Sequence, residues 1–142
     1  MQEWRFEARK PEEVYMGFIH HEGSGRDRTA AELNQIKLQE GLAGIGYNFV
    51  IRKDGTIEEG RQLDVWAAHR KGYNRQGVAI CCNGNLEIEY LTIKQWHSVV
   101  HLARWLTQEY NLEIWLRDSD VHATLCPGKN FPWKDFLREV WK

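Results

Sequence analysis

The segment that most constrains the fold is a continuous apolar run, GVAICCNG, that spans residues 77–84 between glycines. Apolar residues follow one another here without the polar alternation of a half-exposed strand. Such a run is typical of a strand that is covered on both faces. It therefore predicts a central strand with a layer of structure on each side. Cys81 and Cys82 lie inside the run, so we expect both to pack in the core.

Strand and helix patterns alternate along the rest of the chain. A buried strand is predicted over 14–21, a hairpin around the Asp54–Gly55 turn, and an extended piece over 112–116. Strands that alternate with helices indicate an α/β domain. The predicted fold class is thus α/β, with a central mixed β-sheet flanked by helices.

Three segments have the apolar spacing or the start signals of helices: residues 30–40, 93–110 and 131–141. Thr29 and Thr92 each stand three residues before a Glu or Gln, which is the spacing of a capping box. Pro132 falls near the first turn of the last helix, where its missing N–H costs nothing. No linker or repeat interrupts the pattern, so we predict one domain over residues 1–142.

Length, charge and apolar content exclude several function classes. The chain has 142 residues, with 19 Lys and Arg against 20 Asp and Glu, so its net charge of −1 does not favour nucleic acid as a partner. No apolar run reaches the roughly 18 residues of a membrane span. The first dozen residues lack the apolar core of a signal peptide. We expect a monomer that is synthesised in the cytoplasm without a signal peptide and has no membrane partner.

His20 and Cys126 are the best-placed candidate metal ligands. His20 stands where an apolar strand ends, so its side chain can emerge into a cleft. Cys126 lies in TLCPGKNFP, where Pro127 and Gly128 make a rigid turn around the thiol. Histidine and cysteine are common zinc ligands, and a catalytic zinc keeps one position open for water. Taken singly, a strand-end histidine is more often structural and a cysteine more often core.

Four segments, taken together and in order, resemble a known family. They are FIHH, GIGYNFVIRKDGTIEEGR, AAHRKGYNRQGVAICCNGN and DVHATLCPGKNFPW. Segments of this kind in this order are similar to the zinc-dependent N-acetylmuramoyl-L-alanine amidases of the type-2 amidase and peptidoglycan-recognition-protein superfamily, which includes phage endolysins. The resemblance runs from about Val14 to the C-terminus. It implies a zinc cleft at one side of a mixed sheet with helices packed on it.

The activity that the resemblance implies is zinc-assisted hydrolysis of the amide bond between N-acetylmuramic acid and L-alanine, in bacterial peptidoglycan or muropeptides. His20 would be the first zinc ligand and Cys126 the last. Tyr47 matches the tyrosine or glutamate that the family places beside the metal, although an aromatic residue here also suits a core. Thr124 matches a lysine or threonine position. The phenol of Tyr47 and the hydroxyl of Thr124 can each donate a hydrogen bond to an oxyanion.

The same resemblance implies a substrate surface built by one loop. His69 matches a histidine that lines the substrate groove of the family, and Asn74 lies in the same loop. Among the seven tryptophans, Trp66 is the one best placed to stack on a sugar ring, because it lies just upstream of His69.

The middle zinc ligand is where the chain departs from the family. Family members carry the second zinc histidine eight residues before the cysteine, and that position is Asp118 here. Asp118 can bind zinc through a carboxylate oxygen, although the added negative charge weakens the metal as a Lewis acid. His122 can substitute from four residues before Cys126. Otherwise the site is impaired, and the protein is a peptidoglycan-binding module of the same fold. A regulatory protein that docks on an intracellular partner is a third class.

Overall fold

A five-stranded mixed sheet organises residues 6–142, which are the residues that the computed structural model describes. The strands are β1 (Met16–His21), β2 (Phe49–Ile51), β3 (Ile57–Glu59), β4 (Gly77–Cys82) and β5 (Ile114–Arg117). The helices are α1 (Ala30–Gln39), α2 (Ile93–Tyr110) and α3 (Trp133–Val140), with short 3-10 helices at Pro11–Glu13 and Asp118–Asp120. The α/β fold with a central mixed sheet is confirmed.

The strands lie in the order β3-β2-β4-β1-β5, so β4 is the central strand and β1 and β2 are its neighbours. β1 pairs in parallel with β4 and β5, and β2 pairs in parallel with β4. Only the β2–β3 hairpin is antiparallel among these strands. Gly55 has a φ of 90° at the hairpin turn, a conformation that glycine adopts without a steric cost.

Each face of the sheet packs on a different layer. Ile19 and Ile80 belong to the core that α2 and α3 cover, and Val50 belongs to a smaller core with Leu33 of α1. Because side chains alternate along a strand, Phe18 and His20 point away from α2. All six residues of β4 are buried, as its continuous apolar run predicts.

Two elements begin later in the structure than the sequence predicted. α3 begins at Trp133 and not at 131, because Phe131 is buried in the core and Pro132 is the N-cap. β5 begins two residues later than expected, because Asn111 ends α2 in a left-handed conformation and the N–H of Leu112 donates to Thr107 of that helix.

Residues 1–5 lie outside the described part of the chain. The predicted domain start and part of the signal-peptide expectation concern those residues. Among residues 6–142, no helix combines the length and the apolar composition that a membrane span needs.

Both predicted capping boxes are present, and one of them supports a test of the fold. The Thr92 hydroxyl accepts from the N–H of Gln95 at 3.0 Å and donates to the carbonyl of Lys53 at 2.6 Å. Thr92→Ala removes both bonds and should lower the free energy of unfolding by about 1 kcal/mol in urea titrations. Thr92→Ser keeps the hydroxyl, so its free energy of unfolding should stay near that of the parent. An equal loss in both variants would contradict the capping role.

Candidate metal centre and active site

The candidate site lies at the carboxyl ends of two neighbouring parallel strands. Ile19 of β1 is in register with Arg117 of β5, so the next residues, His20 and Asp118, stand side by side where β5 ends. Ligand sites in sheets of parallel strands form at this edge, because the chain leaves the sheet there. The 3-10 turn at Asp118–Asp120 and the following loop then bring Cys126 to the same place.

His20, Asp118 and Cys126 form a cluster whose ligand atoms lie within 4.8 Å of one another. The Nδ1 atom of His20 is 3.4 Å from Oδ2 of Asp118 and 3.6 Å from Sγ of Cys126. Zinc bonds of about 2.0–2.3 Å at tetrahedral angles place neighbouring ligand atoms about 3.3–3.7 Å apart. Both measured separations from His20 fall in that range, so these side chains fit a zinc ion.

His122 is not part of this cluster. Its side chain is exposed, while its carbonyl oxygen accepts from the N–H of Thr124. Among the residues that the structure describes, the third position beside His20 and Cys126 is occupied by Asp118. Of the two predicted ligand sets, the structure therefore brings together the one that contains Asp118.

The second nitrogen of His20 is held by His69. The Nε2 atom of His20 is 2.9 Å from Nδ1 of His69, and the ring of His69 packs at 4.8 Å from that of Phe18. Burial, followed by the proximity of His20, lowers the pKa of His69 to about 3, so His69 is neutral. With Nδ1 of His20 facing the cluster, its Nε2–H donates to His69. This contact orients the candidate ligand, and the predicted contact of His69 with substrate stays a prediction.

Cys126 needs a cation to ionise. Its Sγ accepts from the N–H of His21 at 3.4 Å, but the thiol is largely buried. Burial raises the pKa of Cys126 to about 12, with the charge of Asp118 adding to the effect. A bound divalent cation reverses that balance, because a coordinating thiol loses its proton.

Asp118 has a cationic partner that the sequence did not predict. Arg70 donates from Nε to Oδ1 and from Nη2 to Oδ2 of Asp118, each at 2.8 Å. Burial alone would raise the pKa of Asp118, but the neighbouring His20 ring and the hydrogen bonds from Arg70 hold it well below its usual range. Asp118 is therefore a carboxylate at any ordinary pH.

Asn74 shapes the loop that carries His69 and Arg70. Its Oδ1 accepts from the N–H of His69 at 2.9 Å and from the N–H of Arg70 at 2.8 Å. The two acceptor bonds fix the backbone from which both side chains reach the cluster. Asn74 thus contacts the backbone of its own loop, and its predicted contact with substrate stays a prediction.

Arg9 ties the ends of the same loop together. Its buried guanidinium donates to the carbonyl oxygens of Leu63, Asn74, Arg75 and Gly77 at 2.8–3.1 Å. The four carbonyl groups come from both ends of the connection between β3 and β4, so this one side chain links the two ends. The position of His69 therefore depends on a residue 60 positions earlier in the sequence.

Tyr47 lies beside the cluster, as the resemblance implies. Its ring is 5.0 Å from that of His20. The residue before it, Gly46, lets the backbone pass close to Ala68, because a Cβ at that position would overlap the carbonyl oxygen of Ala68. Burial raises the pKa of Tyr47 well above its usual value, so the phenol keeps its proton and can donate a hydrogen bond.

Thr124 lies on the loop just before the candidate thiol ligand. Its Oγ1 accepts from the N–H of Cys126 at 3.2 Å, which leaves the hydroxyl proton free to donate. Together with Lys129 and Trp133 it lines a shallow hollow of about 260 Å³. Asp120, on the turn before it, accepts from the N–H and the guanidinium of Arg117 and so braces the loop.

Trp66 lies apart from the metal cluster. It lines a groove of about 390 Å³ with Leu42 and Gly46, and the guanidinium of Arg75 lies 5.7 Å from its ring. None of the three candidate metal ligands lines that groove.

Residues 10–129 match the family described as N-acetylmuramoyl-L-alanine amidase, the second amidase family. The chain belongs to this amidase family. It is 30% identical to the endolysin of Klebsiella phage KP32 over 126 residues, covering 84% of this chain and 83% of that protein. It is also 33% identical to peptidoglycan-recognition protein SC2 of Drosophila melanogaster over 123 residues, which cover 79% of this chain and 67% of that protein.

A solved structure shows the same architecture in this amidase family. The N-acetylmuramoyl-L-alanine amidase LysC from Clostridium intestinale superimposes with a TM-score of 0.89 at 34% identity, covering 99% of this chain and 93% of that one. The predicted membership in the type-2 amidase and peptidoglycan-recognition-protein superfamily is confirmed.

Sequence reasoning missed Arg70 and Arg9. An aspartate at a position that the family gives to a buried histidine signals that a compensating cation is needed. Nothing in the sequence, however, indicates which of the 19 basic residues supplies it. The sequence did not indicate the role of Arg9, because Arg9 binds backbone carbonyl groups and their positions depend on the folded path of the chain.

The role of Asn74 can be tested by stability. Asn74→Ala leaves the N–H groups of His69 and Arg70 without their acceptor, and should lower the free energy of unfolding by about 1–3 kcal/mol in urea titrations. Asn74→Asp keeps the acceptor oxygen, so its free energy of unfolding should fall much less. If both variants matched the parent, these hydrogen bonds would not hold the loop.

Proposed function

We propose that this protein is a zinc-dependent N-acetylmuramoyl-L-alanine amidase that cleaves the bond between N-acetylmuramic acid and L-alanine. The observation that carries the proposal is the cluster of His20, Asp118 and Cys126, whose separations suit tetrahedral zinc, in a chain of the amidase family. The chemistry that such a site supplies is Lewis-acid activation of water and of the scissile carbonyl.

The donor set supports zinc and not a harder cation. Nitrogen, sulfur and one carboxylate oxygen are ligands of zinc, whereas magnesium and calcium take oxygen ligands throughout. The three side chains supply three ligands, which leaves a fourth tetrahedral position for substrate chemistry. His69 holds His20 in the tautomer that exposes Nδ1.

Tyr47 and Thr124 supply hydrogen-bond donors for the transition state. The phenol of Tyr47 retains its proton beside His20, and the Thr124 hydroxyl retains its proton beside Cys126. Addition to the amide carbonyl creates negative charge on its oxygen. Donors aimed at that oxygen typically contribute a factor of about 10²–10³ each in kcat.

The proposed substrate is bacterial peptidoglycan or the muropeptides derived from it. Relatives named as endolysin and as peptidoglycan-recognition protein support this choice. Trp66 offers a ring to a sugar or peptide in its groove, and the hollow beside Thr124 offers the polar groups of Lys129 and Arg117. We propose that the protein acts as a monomer on the cell wall, with no nucleic-acid or membrane partner.

A second candidate function is a peptidoglycan-binding module without turnover. The observation that favours it is Asp118, which stands where the family has a histidine and already has both carboxylate oxygens bound by Arg70. Cleavage of the amide bond distinguishes the two functions, because a binding module retains peptidoglycan without releasing peptides.

Metal removal tests the proposed reaction. Purified protein should contain about one zinc per chain and should release L-alanine amino termini from peptidoglycan without producing new reducing sugar ends. Chelation with dipicolinate should abolish the release, and added zinc should restore it.

The control is co-sedimentation with the same peptidoglycan before and after chelation. A metal-free preparation that binds peptidoglycan and releases no amino termini even with added zinc would refute the amidase proposal and support the binding module. New reducing ends would indicate a glycosidase.

The ligand set is tested by two substitutions in one loop. Cys126→Ser should weaken zinc binding by roughly 100-fold or more, because a thiolate ligand is lost. His122→Ala should leave zinc affinity near the parent value, because His122 is exposed and outside the cluster. Competition with a chromophoric chelator measures both. A comparable loss in His122→Ala would mean that His122 moves in as a ligand.

A further inference from the structure

The contact between Arg70 and Asp118 is the feature of the site that the proposed reaction does not use. Arg70 donates two parallel hydrogen bonds to the carboxylate, each at 2.8 Å. The side chain of Asp118 is 3% exposed, while that of Arg70 is 26% exposed. Oδ2 of the same carboxylate also faces Nδ1 of His20 at 3.4 Å, so one oxygen is shared between Arg70 and the cluster.

The formal charge of the site explains why this contact matters. With Cys126 as a thiolate, the three candidate ligands carry two negative charges, one more than a set of two histidines and one cysteine. Arg70 cancels one of them and restores the charge of the two-histidine set. The guanidinium fork also fixes the plane of the carboxylate, as bidentate pairs do.

We propose that Arg70 acts through Asp118: by cancelling the charge of the carboxylate, it makes Asp118 a substitute for the missing second histidine. The proposal rests on the proposed function only in taking zinc as the metal. Arg70 acts through Asp118 and does not itself bind the ion.

The proposal predicts a ranking of zinc affinities that follows the net charge of the four side chains. Arg70→Met leaves two negative charges, so by the Coulomb attraction of the added charge it should bind zinc about tenfold more tightly than the parent. The parent and the double variant Asp118→His with Arg70→Met carry the same charge and should bind zinc about equally. Asp118→His alone leaves Arg70 uncompensated and should bind zinc about tenfold more weakly than the double variant.

The experiment is competition for zinc between each protein and a chromophoric chelator at fixed pH and salt. Arg70→Lys keeps the positive charge, so its zinc affinity should stay close to that of the parent. The matched control is Arg52→Met, which removes another bidentate arginine–aspartate pair, with Asp27, away from the cluster. Its zinc affinity should not change. Far-UV circular dichroism confirms that each variant is folded.

Activity gives a second readout that a merely structural role would not produce. Arg70→Met should hold zinc tightly and still lose about tenfold or more in kcat/KM, because extra negative charge weakens the Lewis acid. The double variant should retain the activity of the parent.

Two results would overturn the proposal. One is weaker zinc binding in Arg70→Met than in the parent, which would mean that Arg70 only supports the fold. The other is equal zinc affinity in Asp118→His with and without Arg70. If the ranking holds while no protein cleaves peptidoglycan, the charge role stands and the proposed amidase function fails.

Discussion

The parallel pairing of β1 with β5 is the constraint on which the site depends. It sets Ile19 opposite Arg117, so the residues that follow are adjacent at the carboxyl edge of the sheet. A shift by one residue would turn His20 to the other face, where α2 and α3 cover the sheet. The buried apolar residues of β1 and β4 fix this register, because a slip would expose them. The packing of the core therefore sets the separation of His20 and Asp118.

The loop between β3 and β4 supplies the second half of the site. Arg9 fixes its ends and Asn74 fixes its middle, through hydrogen bonds to backbone atoms. These bonds hold His69 against His20 and Arg70 against Asp118. Hydrogen bonds from a charged donor typically contribute about 1.5–3 kcal/mol each, which is enough to keep a loop in one conformation. The orientation of His20 and Asp118 is thus determined by a loop that carries neither residue.

The sequence predicted what depends on local pattern and missed what depends on side chains that meet in space. The apolar run of β4 and the two capping boxes predicted the sheet and the starts of α1 and α2, because each is a matter of a few neighbouring residues. The departure at Asp118 was also visible in the sequence. Arg70 was not, because it is 48 residues away from Asp118 and only the folded loop brings them together.

An aspartate in place of a buried histidine changes the metal-free protein as much as the metal site. A neutral histidine can be buried with one hydrogen bond, whereas a buried carboxylate without a cation is strongly destabilising. Arg70 removes that problem, since Asp118 is paired before any metal arrives. A metal ion would need only Oδ2, while Nε of Arg70 can keep its hydrogen bond to Oδ1. The pair therefore stabilises the buried carboxylate, which a lone aspartate at this position would leave without a cation.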